Sequence, residues 1–211
     1  MKTQPHTIPR IAIQSIASGL LMMAFFTMMW ATMANLGLNG RDHYAVLVFF
    51  GILAILFVSN AIHLLTIAKR FPKLSSEEDK AEGKRSGKWF GIIFGAEGLG
   101  IVIAINIVKY LGHDDLVIPV IALVVGLHFY PLGWVFKRTL DYYLATWATL
   151  IAVLSIIFTL NKTLTANDVL AFVGVGIGIA TSCYGLYMIK DGMRLTRLQD
   201  FADVKDSSIS M

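Results

Sequence analysis

Two residue types that do chemistry in proteins stand inside apolar stretches of this chain, and both are unusual there. Glu97 lies in GIIFGAEGLGIVIAINIV and His128 lies in VVGLHFYPLGWVFK. A carboxylate surrounded by Ile, Val and Phe is costly to keep in an apolar medium, and such residues mark ion, proton or substrate pathways. An imidazole is the side chain best suited to exchange a proton near neutral pH, and it also binds cations. Together, a carboxylate and an imidazole can share a proton or hold a cation. The alternative chemistry is inert: each group hydrogen-bonds a neighbouring helix and stays there. Pro131 follows His128 by three residues, removes a helical hydrogen bond and crowds the carbonyl of Leu127, which predicts a kink beside the histidine.

The elements that must position these groups follow from composition. The chain has 211 residues, 56% of them hydrophobic and 15% charged. Soluble domains carry about 25% charged residues. The deficit is concentrated in six apolar stretches, over 11–35, 44–68, 89–109, 116–136, 142–160 and 167–189. Each is close to the roughly 20 residues that span a bilayer as a helix. In lipid the backbone must satisfy its own hydrogen bonds, and the ten-residue alternation of a membrane barrel is missing, so helices are expected. The predicted fold is all-α: a polytopic membrane protein whose six transmembrane helices form three hairpins, 11–70, 89–138 and 142–192, in one bundle. No soluble domain fits beside them, and 1–211 is read as a single membrane domain. The first stretch, Ile11 to Leu36, exceeds the 7–15 apolar residues of a signal peptide and reads as a retained helix.

The formal net charge is +4. The cations lie between the apolar segments rather than along a polar face, so nucleic acid is not an expected partner and the lipid bilayer is. Fifteen Lys and Arg residues fall in the N-terminal tail, the second and fourth connections and the C-terminal tail, against Arg41, Lys109 and Lys162 elsewhere. The positive-inside rule then puts both termini in the cytoplasm, with an inner membrane as the expected location. The cytoplasmic connection 69–88 contains SSEEDKAEGKRSGK, in which Ser75 or Ser76 can cap a short helix with Glu77, Glu78 and Asp79 in its first turn. The tail 190–211 carries Leu195, Leu198, Phe201 and Ala202 at helical spacing beside Arg194 and Arg197, the pattern of a short amphipathic helix on the inner leaflet. Either segment is a candidate partner-docking surface.

Depth relates the polar residues to one another. Glu97 stands eight residues into its span, about 12 Å from the cytoplasmic end at the helical rise. His128 stands eight residues before Phe136, on a helix of opposite direction. Ser18 on the first helix, Asn60 on the second and Thr181 and Ser182 on the sixth fall at similar depth, with His63 one turn below Asn60. The expectation is a polar belt about 10–13 Å from the cytoplasmic face, lining a cavity for an ion, proton or small solute, or serving as interhelical hydrogen bonds. Asn106, nine residues beyond Glu97, belongs to a different contact.

Glycine spacing points to packing. Gly87, Gly91 and Gly95 are separated by four residues, as are Gly174 and Gly178, which allows close helix approach. No cofactor, metal or catalytic residue is expected. Met22, Met23, Met28, Met29 and Met33 could suggest copper through soft thioethers, but gap-filling in a core is the plainer reading. His63 and His128 could hold a haem axially, although the chain has no CxxCH. Asp42 and His43 could join His113, Asp114 and Asp115 in an external metal site if those loops meet. Cys183 is the lone cysteine, so no intrachain disulfide can form.

At Glu97–Gly98, Asn106 and the run Ala122–Leu132 (ALVVGLHFYPL), the sequence resembles an uncharacterised family of small bacterial multi-spanning membrane proteins with an EG pair and a GLHFxPL-like segment. Gly126, Leu127, His128, Phe129, Pro131 and Leu132 carry it, over about a quarter of the chain. The resemblance implies a bacterial membrane protein and no particular activity. Three function classes are therefore weighed: a small transporter or channel using Glu97 and His128, a structural or regulatory membrane protein, and a membrane enzyme or haem protein. A homo-oligomer is compatible with each.

Overall fold

Six long apolar helices account for nearly all of the computed structural model, which describes residues 8–73 and 77–209, with side chains described except at 77–80, 82 and 199–209. They are α1 (Arg10–Leu38), α2 (Ala45–Ile67), α3 (Glu77–Tyr110), α4 (Val117–Phe136), α5 (Thr139–Leu160) and α6 (Ala166–Ile209), with short 3₁₀ turns at Ala68–Arg70 and Asp114–Leu116. No strand occurs among the described residues. Each helix is long and apolar enough to cross a membrane.

Two helices extend well past the predicted spans. α3 begins at Glu77 rather than near residue 89, because EEDKAEGKRSGK is rich in helix formers and continues the apolar helix without a break. The short helix expected in the connection is thus the first turns of α3; Ser75 and Ser76, its expected caps, lie outside the described residues. α6 likewise runs on through the expected tail helix to Ile209 as one element. The side chains of Phe201 and Ala202 lie outside the described residues, as does the N-terminal segment with Lys2.

The centre of the bundle is the pair α1–α6. On α1 the buried residues are Ile13, Ile16, Ala17, Leu20, Met23, Ala24, Thr27, Trp30, Ala31 and Ala34, a single stripe at spacings of three and four. Small residues in this stripe let α6 approach closely. An added Cβ on Gly174 would fall 2.4 Å from the Ala34 backbone nitrogen, and one on Gly37 would fall 2.4 Å from the backbone nitrogen of Ala171. Towards the other end Thr27 Oγ1 donates to Thr181 Oγ1 at 3.0 Å, and Gly19 meets Met188. As the numbers fall along α1 they rise along α6, so the two helices are antiparallel.

α2 packs on α6 in parallel, by a heptad device. Phe50, Phe57 and Leu64, spaced by seven, cover Gly178, Gly185 and Gly192, also spaced by seven. Each bulky side chain fills the gap above a glycine, the knob-and-hole logic of coiled coils. α5 closes the other flank of α6: Ile151 covers Gly176, and the Trp147 indole donates to the Gly176 carbonyl at 2.8 Å. α4 packs on α5, with Gly126 against Ala148 and Thr149 and Gly133 against the Tyr142 ring. The methionines of α1 lie in this packing: Met23 is buried, Met22 and Met28 pack in one core cluster and Met29 and Met33 in the other.

α3 is different. Among the six it is the least buried, and its packing partner among the long helices is α4. Gly100 touches Val124, and Ile93 and Val108 are buried. Gly87, Gly91 and Gly95 have open space beside them, so the close approach their spacing allows is not used among the described residues. Gly91→Ala should therefore leave the thermal midpoint of the purified protein unchanged or raise it slightly, since helix propensity adds at most about 1 kcal/mol of stability. A clear loss of stability would place another surface against that face.

The connection between α1 and α2 is fastened by side chains. Arg41 donates to the carbonyls of Leu38 and Gly37 at the end of α1 and pairs with Asp168 at 2.7 Å. Asp42 accepts from the backbone amides of Tyr44 and Val46 and so begins α2.

Candidate intramembrane site

Glu97 sits on the narrow face of α3 that packs on α4, one turn before Gly100 and one turn after Ile93. His128 sits opposite on α4, one turn after Val124. The pairing Gly100–Val124 sets these helices antiparallel, and three residues further along it brings Glu97 against His128. The imidazole Nδ1 is 3.3 Å from Glu97 Oε1. The Glu97 side chain is 11% exposed and the His128 side chain 8%, so the pair is largely covered by protein. The distance is that of an ion pair, but Nδ1 lacks the alignment of a hydrogen bond to the carboxylate, and the backbone carbonyl of Val125 is a second acceptor near the ring.

Aromatic rings enclose the imidazole. Phe129 stands 4.2 Å away and Phe94 5.5 Å away, centroid to centroid, and Phe94 is itself stacked near Phe90 at 4.3 Å. Such walls carry no polar side chain that competes for either member of the pair. The helix continues through Pro131, one turn beyond His128, and Pro131 cannot donate to the Leu127 carbonyl. What the arrangement can do chemically is pass a proton between an oxygen and a nitrogen, or offer both to a small cation entering between them.

The chain matches no protein-family model, no curated protein and no solved structure. The resemblance noted above thus rests on the EG and GLHFYPL residues alone.

The remaining residues of the expected belt do not join this pair. Ser18 and His63 are exposed on the outside of the bundle. Asn60 turns its amide back to the Leu56 carbonyl of its own helix at 2.8 Å, and Asn106 does the same to Val102 at 2.7 Å. Thr181 is buried but bonded to Thr27 and to the Gly178 carbonyl. Ser182 is buried with its hydroxyl unpartnered. The physical reason is rotation: equal depth leaves each helix free to turn, and the packing stripes fix the turn. On α2 the heptad Phe50, Phe57, Leu64 faces α6 and leaves His63 outside, away from buried His128, so the two histidines do not form a haem pair. Asp42 is occupied in starting α2. Among the described residues no group of three or more His, Cys, Asp or Glu gathers as a metal site.

A second polar cluster escaped the sequence reading. Asp141, in the first turn of α5, is completely buried, and neither carboxylate oxygen has a well-aligned hydrogen bond, although the Tyr184 hydroxyl stands beside it as a donor. Arg138 and Tyr184 are the polar groups beside it. Arg138 Nη1 donates to the Tyr184 hydroxyl at 2.9 Å, joining the α4–α5 connection to α6. Asp141 stands one residue before the apolar span expected at 142–160. The available signal was the acidic residue three positions after Arg138 of the basic pair Lys137–Arg138 and directly before an apolar run.

Proposed function

We propose that this membrane protein is a small transporter or channel for a proton, ion or small solute, working through the Glu97–His128 pair. The observation that supports it is the juxtaposition itself, a carboxylate and an imidazole 3.3 Å apart and largely covered inside spanning helices. Intramembrane ionisable groups are costly and occur where charge moves. The setting is a bacterial inner membrane. Both termini lie in the cytoplasm, on the fifteen-to-three distribution of Lys and Arg.

The test is proton flux into proteoliposomes under an imposed membrane potential, comparing the chain with Glu97→Gln. Flux in the wild-type chain that falls to the level of empty vesicles in the variant is the expected result. Background traces from both would overturn proton conduction. They would favour a second reading, supported by the thin attachment of α3: the pair is a polar staple holding α3 to α4 in a structural or regulatory protein.

A further inference from the structure

α6 is about 66 Å long at the helical rise, roughly twice the 30 Å or so of hydrocarbon it has to cross. It therefore leaves the membrane as a continuing helix, and its apolar span ends at Lys190. From there Lys190, Arg194 and Arg197 follow at i, i+4 and i+7, on one face and within about 11 Å of rise. That places the three cations at the level of the lipid headgroups. All three are exposed, and with Met193 and Leu198 they line a hollow of about 310 Å³. A tail helix lying flat on the leaflet would put Leu195 in lipid; Leu195 instead packs inward on the core, and the cations face outward.

The same face continues back into the span. Ile179, Leu186 and Met193 are spaced by seven, as are Cys183, Lys190 and Arg197, and all six are exposed. Elsewhere α6 is covered: Gly178, Gly185 and Gly192 face α2, and Gly176 faces α5. The uncovered stripe falls between those two faces, and α2 and α5 are not packing partners of one another. The result is a valley floored by α6, apolar through the span and cationic at its end. We propose that this valley binds one anionic phospholipid, with an acyl chain along Ile179, Cys183 and Leu186 and the phosphate among Lys190, Arg194 and Arg197. A guanidinium fork matches phosphate oxygens, and the lysine adds a point charge. A zwitterionic lipid fits the same apolar track but brings its own cation to the cationic end, so charge selects the anionic one. Basic pockets beside membrane-spanning helices recognise headgroups in this way. The site is separate from Glu97 and His128 and does not depend on transport through them.

The lone Cys183 lies on the track two turns below Lys190, so a small bimane fluorophore on it reports what occupies the valley. The full chain, labelled there and reconstituted in phosphatidylcholine bilayers, is titrated with phosphatidylglycerol or phosphatidylcholine carrying a nitroxide on the acyl chain. Phosphatidylglycerol should quench at the lower mole fraction. Lys190→Gln/Arg194→Gln/Arg197→Gln should weaken its quenching by about fivefold for each cation removed. Lys84→Gln/Arg85→Gln/Lys88→Gln removes equal charge from exposed positions early in α3 and should leave the preference intact. Equal quenching by the two lipids in the wild-type chain overturns the proposal. An equal loss in the α3 variant also overturns it, since a diffuse surface potential then accounts for the preference. Relief of quenching by millimolar inorganic phosphate at constant ionic strength would assign the cations to a soluble anion and overturn the lipid site.

Discussion

Gly174→Ala will lower the thermal midpoint of the purified protein more than any other single methyl group added to a glycine of α3 or α6. The added Cβ meets the Ala34 nitrogen at 2.4 Å, the Ala34 Cα at 2.8 Å and the Trp30 carbonyl at 2.8 Å. All three are backbone atoms inside a helix, so no side chain can swing aside. α1 and α6 must separate along a contact that includes Gly37 on Ala171 and Thr27 on Thr181. Overpacking of a tight core costs about 1–3 kcal/mol. For a chain of this size that is a fall of roughly 2–12 °C. Gly91→Ala on α3 is the matched control, since its methyl group enters open space. Equal behaviour of the two variants in a thermal-melt assay would contradict the α1–α6 register described above.

The second large effect is at the Glu97–His128 pair, and it is best read as a cycle. Glu97→Leu leaves the imidazole without its carboxylate; His128→Leu leaves the carboxylate without its imidazole. An orphaned buried polar group costs about 1–3 kcal/mol, more if it stays charged. Glu97→Leu/His128→Leu removes both groups and should recover most of the loss, because two apolar side chains at a buried seam are as stable as the pair they replace. The single variants should also loosen α3 selectively, measured as faster labelling of a cysteine placed at Ile93, a buried position on the α4-facing side. Additive losses in the double variant would show that the two side chains act independently.

The sequence reading reached some levels of this structure and not others. Six spans were legible because an apolar run of about 20 residues has few alternatives in water or lipid. The helix ends at Glu77 and Ile209 were not, since hydropathy stops where helix propensity does not. Glu97 and His128 were legible as individuals from their chemistry, and their common depth from counting residues. That they face each other depends on Gly100 meeting Val124, a contact between helices that hydropathy does not encode. Ser18, Asn60 and His63 fail for the same reason: one residue of rotation separates a core position from an exposed one. The spacing of Gly178, Gly185 and Gly192 by seven, matched by Phe50, Phe57 and Leu64, was a readable signal for the α2–α6 contact. Asp141 was hidden by its position, one residue before an apolar run, where acidic residues usually meet water.

The place of α6 also bears on how such a chain is made. It lies against α1, α2, α4 and α5, yet five spans precede it in the order of synthesis. Until α6 enters the bilayer, the small-residue stripe of α1 and the rings of Phe50 and Phe57 have nothing to close upon. The earlier helices can already pair, α1 with α2, and α3 and α5 with α4, and the arrival of the sixth joins these two groups about one centre. A chain ending before residue 166 would leave two separate helix groups without the element that holds them together.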